Sequence, residues 1–201
     1  MTLHQRLTPL VGSRICHDLI NPLGAISNGV ELLNMTPGAG GPEIALISES
    51  VEAANARIRF FRVAYGAATD SQVLEDSEIS QILDGMSVGA RQTMRWSASG
   101  SHPRGEVRMI FLLIQCLETA MPYGGTIEVT GHKGAWQVRG TAEAFAEIQE
   151  LWNIILRDDD PSNVTAAQVQ FALVAMLEDE MGLAVRMTQD KGEITLNIMA
   201  D

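Results

Sequence analysis

Apolar positions recur with a helical period from residue 3 to about residue 35, interrupted only by Pro9 and Pro22. Residues 36–42, Thr-Pro-Gly-Ala-Gly-Gly-Pro, read as a turn, and Pro42 suits the first turn of a following helix. The period resumes through Ile44, Ile47, Val51, Ala54, Ile58 and Phe61 and fades near Ala67. A short connection makes the two helices antiparallel neighbours. Two helices cannot enclose a core alone, so the pattern predicts that the hairpin pairs with a second copy as a four-helix bundle in a homodimer.

Beyond residue 70 the pattern mixes helix and strand. Ser77 caps a predicted helix to about Met86, and residues 93–97 read as a strand. A strongly apolar helix follows over 107–121, then strands over 126–130 and 135–139 joined by a turn at His132-Lys-Gly134. Helices are predicted over 142–156 and 164–181, and strands over 183–187 and 194–199 close the chain as a hairpin. The fold class is therefore α+β, with a helical hairpin over 1–69 and an α/β sandwich over 70–201.

Charge sharpens that division. Residues 1–67 carry five basic and five acidic groups, so the whole net charge of −11 falls on the remainder. An acidic surface argues against nucleic acid, which needs a basic stripe. No apolar run reaches bilayer length and no basic-then-apolar leader opens the chain, so a cytoplasmic protein without a membrane span is expected. Cys16 and Cys116 lack metal-ligand spacing and read as small apolar residues. His102 precedes a proline in a loop, and His132 sits in a turn. The run Asp158-Asp-Asp160 lacks the alternation and downstream Glu of a Ca²⁺ loop. No metal and no cofactor is expected. Trp96, Trp136 and Trp152 read as core.

Chemistry concentrates in His17-Asp-Leu-Ile-Asn-Pro-Leu23. At about 100° per residue, Ile15, Leu19, Leu23, Ile26, Val30 and Leu33 cluster roughly 160–240° around from His17. The neighbours of His17 are Ser13, Arg14, Asn21, Gly24, Asn28 and Glu31, so the imidazole faces solvent. An exposed imidazole with a free ring nitrogen is a competent phosphoryl acceptor. Asp18 is placed to polarise the ring or hold its tautomer. Arg14, one turn before, can balance charge on an incoming phosphate, and Asn21, one turn after, can donate to a phosphate oxygen. Gly24 leaves open space for a partner, and Pro22 should bend the helix just past the site.

This segment resembles the H-box of two-component histidine kinases, in which His is followed by an acid, a Leu and then Asn-Pro-Leu or Thr-Pro-Leu. Every motif position is matched from His17 to Leu23. The resemblance implies that His17 is phosphorylated, that Asp18 assists transfer and that Asn21 contributes to dephosphorylation. Residues 107–199 resemble a shortened, degenerate form of the kinase ATP-binding domain. Gln115, Cys116 and Glu118 stand where a Mg²⁺-binding Asn is expected, 138–142 offers no Asp, and 162–171 contains no glycine. An intact phosphorylatable His beside such a domain is similar to the ChpT-type histidine phosphotransferases of alphaproteobacterial phosphorelays. That resemblance implies relay of a phosphoryl group between the receiver domain of a hybrid sensor kinase and that of a response regulator, without ATP hydrolysis.

With the turn near residue 39, Arg57, Phe60 and Arg62 of the second helix fall at the height of His17 and flank the site for receiver docking. A bundle-core place for Phe60 or Phe61 stays equally open, one of the two being core because adjacent helical positions cannot both face the centre. Two other functions stay open: an autophosphorylating histidine kinase with an atypical nucleotide site, and a non-catalytic dimeric adaptor that binds receivers.

Overall fold

The computed structural model describes residues 2–35, 41–69, 71–157 and 159–200. Helix α1 (Leu3–Met35) runs through both Pro9 and Pro22, and α2 (Pro42–Ala64) begins with the expected proline in its first turn. Most of the turn expected over 36–42, and Asp158 of the acidic run, lie outside the described residues. The rest comprises β1 (Val73–Glu75), α3 (Asp76–Ser87), β2 (Gln92–Trp96), β3 (Ser101–Pro103), α4 (Arg104–Ala120), β4 (Gly125–His132), β5 (Ala135–Thr141), α5 (Gln149–Leu156), α6 (Val169–Met181), β6 (Leu183–Asp190) and β7 (Glu193–Ala200). Short 3₁₀ turns at Pro161–Asn163 and Ala166–Gln168 precede α6.

The main sheet has the order β2-β4-β5-β7-β6, with β2 parallel to β4 and the other pairs antiparallel. One face is apolar and buried, carrying Ile127, Val129, Trp136, Val138, Leu196 and Ile198. The alternate positions are polar and partly wet: Glu128 pairs with Arg139 directly across the β4–β5 ladder, and Gln137 with Asn197 across β5–β7. A sheet with one apolar face needs a helical cover on that side. Helix α4 supplies it. It is apolar nearly all round and buried from Met109 to Leu117, because the sheet lies on one side and α2 and α6 on the others. Gly140 permits the close approach, since a Cβ there would lie 2.9 Å from Met121 Sδ and 3.1 Å from Leu117.

The hairpin shares this core. The apolar stripe of α1 has two fates along its length. Leu7 is buried, and Val11, Ile15 and Leu19 pack half-buried against the core of the same chain. Further along, Leu23 and Val30 are exposed, whereas Ile26 and Leu33 are half-buried. Only the distal half of the stripe is therefore left for a partner helix, not the whole face that the period suggests.

Several expectations need correction. Ser77 lies inside α3, whose N-cap position falls on Glu75, and Cys16 is exposed, unlike the buried Cys116. Residues 142–148 are not helical; Ala142 N–H donates to Gly192 O at 3.1 Å and Ala146 N–H to Ala120 O at 2.8 Å, so the backbone is bonded to neighbouring segments and the helix begins at Gln149. The helix expected from 164 starts at Val169, behind a turn closed by a Thr165–Gln168 capping box. His102 is buried in β3, not in a loop, with its ring 5.2 Å from Trp96 and 5.0 Å from Trp136. Trp136 and Trp152 are core as expected, while Trp96 is half-buried.

Candidate functional site

On the outer side of α1 the His17 side chain is 80% exposed, whereas Asp18 beside it is 19% exposed. The imidazole Nδ1 lies 3.0 Å from Asp18 Oδ1. A carboxylate only accepts, so Nδ1 carries the proton and donates, and the lone pair is left on Nε2, facing away from Asp18. The other oxygen, Asp18 Oδ2, accepts from Arg14 Nε at 2.7 Å, one turn back. The three side chains thus form a line in which each orients the next.

Arg14 does more than pair with Asp18. Its Nη1 donates to the backbone carbonyl of Ala167 at 2.8 Å, in the turn just before α6. Burial alone would lower its pKa, but Asp18, Tyr65 and Glu118 together outweigh burial and leave it raised. Its guanidinium is thus committed within the chain at 17% exposure, instead of standing free for an incoming phosphate as the sequence suggested. Beneath it, Tyr65 OH donates to Gln115 Oε1 at 2.8 Å, and burial pushes the phenol up to about 12 against the opposing pull of Arg14. Glu118 of α4 belongs to the same cluster. Burial raises its carboxyl to about 7, with Arg14 and Arg57 pulling it down and Asp18 pushing it further up.

Asn21 is exposed one turn beyond His17 and lines a shallow groove together with Pro22, Ala53, Arg57 and Val88. Asn21 and Arg57 are therefore brought together. A Cβ at Gly24 would meet nothing within 4 Å, so the expected open space is present. Arg62 is turned to α3, where its Nη2 is 3.9 Å from Glu78 Oε1.

Phe60 does not border the site. It is fully buried, stacked on Phe111 of α4 with ring centroids 4.5 Å apart, and Phe61 is buried beside Tyr65. Both are core because α2 is covered on several sides, by α1, α3 and α4, so it has no single inward face. Tyr65, Glu118 and the Ala167 carbonyl were not found from the sequence. They come from distant segments, and a backbone carbonyl has no signature in a residue pattern. Among the described residues, no group of His, Cys, Asp and Glu side chains has the arrangement of a metal site.

Comparison with known proteins bears on the fold and the family. A solved bacterial phosphotransferase shares the fold, with a TM-score of 0.80, 24% identity, and an alignment covering 98% of this chain and 97% of that one. A protein phosphotransferase ChpT from Brucella abortus (strain 2308) is 34% identical over 125 residues, 61% of this chain and 59% of that protein. The aligned stretch is thus less than two thirds of that relative's length. A family described as the histidine phosphotransferase C-terminal domain matches residues 76–193. That match covers more than half of the sequence, and on it the chain belongs to the histidine phosphotransferase family.

Proposed function

We propose that this chain relays phosphoryl groups in two-component signalling through a phosphohistidine at His17. The donor is a receiver-domain aspartyl phosphate of a hybrid sensor kinase, and the acceptor is the receiver aspartate of a response regulator. The observation that carries this reading is the exposed His17 ring, held at Nδ1 by Asp18 with Nε2 left open. Family membership supports it.

The chemistry follows from the geometry. The Nε2 lone pair attacks phosphorus, the N–P bond forms, and the P–O bond to the donor aspartate breaks with its carboxylate leaving. No proton has to be removed from Nε2. The positive charge that develops on the ring is delocalised to Nδ1–H, where the Asp18 carboxylate stabilises it. The reverse sequence delivers phosphate to the acceptor. The phosphoryl group arrives already bonded to an aspartate, so this scheme asks for no nucleotide on this chain.

A receiver approaching His17 meets Asn21 and Arg57 along one groove, with free space at Gly24. Asn21 is placed to donate to a phosphate oxygen and to assist dephosphorylation, and Arg57 supplies positive charge toward the acidic receiver pocket. The exposed apolar residues Leu23, Val30, Leu32, Ile44, Val51 and Ile58 of the hairpin favour a homodimer joined as a four-helix bundle. In this scheme residues 1–69 dimerise and carry phosphate, residues 70–201 support them, and the protein works in the cytoplasm; among the described residues no helix is long and apolar enough to cross a membrane.

The test is incubation with a ³²P-phosphorylated receiver domain. The chain should acquire label that acid removes, as expected of a phosphoramidate, and His17→Ala should acquire none. Labelling by ATP alone would support an autophosphorylating kinase instead. Receiver binding without any label would leave a non-catalytic adaptor.

A further inference from the structure

The sequence gives the C-terminal part of the chain no role in the chemistry at His17, yet the structure ties it to that residue. We propose that Arg14 is a positioning residue, through which the C-terminal part fixes Asp18 and hence the Nδ1 edge of His17. The inference rests on the reading of His17 as phosphoryl carrier and adds a further residue to it.

The contacts form an unbroken series. On α4, Thr119 Oγ1 accepts from Gln170 Nε2 of α6 at 2.9 Å, and the same amide nitrogen donates to Ala167 O at 3.1 Å. Gln170 is fully buried. Ala167 O also accepts from Arg14 Nη1 at 2.8 Å, Arg14 Nε donates to Asp18 Oδ2 at 2.7 Å, and Asp18 Oδ1 accepts from His17 Nδ1 at 3.0 Å. The turn bearing Ala167 is itself held by the Thr165–Gln168 capping box, and a second tie from α1 joins Arg6 to the Ser162 carbonyl.

An ion pair between residues four apart on a helix leaves both side chains free to exchange rotamers. A second contact on a different edge of the guanidinium removes that freedom, because the planar fork cannot rotate without breaking one bond or the other. Arg14 thereby takes one Asp18 oxygen and leaves the other aimed at the ring. A lysine at this position is a compact point charge and cannot serve both acceptors in this geometry. The two hydrogen bonds of Arg14 go to Asp18 and Ala167, so its influence on the ring passes through Asp18.

The experiment uses the full chain and phosphoramidate, a small phosphoryl donor that transfers its phosphate to Nε2 with ammonia as leaving group. It compares wild type, Arg14→Gln and Arg14→Lys. Long-range ¹H–¹⁵N correlation spectra report the tautomer of neutral His17, and quenched time courses report its phosphorylation rate. Wild type should show the Nδ1–H tautomer as the dominant neutral form. Arg14→Gln should lose that bias and react about tenfold more slowly, with Arg14→Lys in between. Should Arg14→Gln fail to fold, Arg14→Lys, which keeps the charge and the packed stem, carries the same two readouts.

An unchanged tautomer and rate in the folded variants would overturn the proposal. So would slowing seen only with a receiver as donor, which would make Arg14 a docking contact. Wild-type protein that takes no phosphate at His17 would refute the phosphotransfer reading instead, and the tautomer comparison would still decide the positioning role.

Discussion

Substituting Glu118 by glutamine should stabilise the protein, and only at neutral and alkaline pH. In the folded chain the Glu118 carboxyl titrates near 7 in place of its ordinary 4.5, chiefly because burial disfavours its charged form. Below about pH 4.5 it is protonated in both the folded and unfolded states and contributes nothing. Between there and about pH 7 the unfolded chain ionises while the fold stays neutral, so stability falls as pH rises; above about 7 the loss is complete. The full difference corresponds to about 3 kcal/mol at most. The Glu118 residue keeps partial exposure, and water screening reduces the effect to about 1–2 kcal/mol. Glutamine keeps the shape and removes the ionisation. Urea denaturation of wild type and Glu118→Gln should therefore give a gain of about 1–2 kcal/mol at pH 8 and about 0.5 kcal/mol or less at pH 5. An equal difference at both pH values, or a loss at pH 8, would show that Glu118 is not the group described.

Other perturbations separate fold from interface. Phe60→Ala should destabilise the chain by about 3–5 kcal/mol in the same denaturation experiment, since it empties a fully buried site stacked on Phe111. Paired substitutions Leu23→Glu and Val30→Glu place charge on the uncovered stretch of α1 and should convert a dimer to a monomer by light scattering. Their far-ultraviolet circular dichroism should stay close to wild type, because neither side chain is buried within the chain.

How far the residues alone reach is clearest at the hairpin. The phase of the apolar stripe puts His17 opposite Leu19 and Leu23, and the structure exposes the ring accordingly. A helical period is a property of one segment, so it needs no knowledge of partners. What lies on top of the stripe does need that knowledge: Ile15 and Leu19 are covered by the same chain, whereas Leu23 is uncovered. Phe60 and Phe61 show the same limit, since two adjacent positions can both be core only when neighbours flank a helix on more than one side. Residues 142–148 carry a helix-compatible composition, but their backbone bonds to Ala120 and Gly192, in segments remote from their own. In the site itself, Asp18 was legible by adjacency, while the bond from Arg14 to Ala167 spans 153 positions and ends on a main-chain oxygen.

The most direct measurement is the location of the phosphate. The 201-residue chain is charged from a phosphorylated receiver domain, without ATP, and its peptides are mapped by mass spectrometry under alkaline conditions that preserve phosphohistidine. The account requires the modification on His17, and no modified peptide from His17→Ala. Phosphate on another residue, or none on a folded wild-type chain supplied with competent receivers, would contradict it.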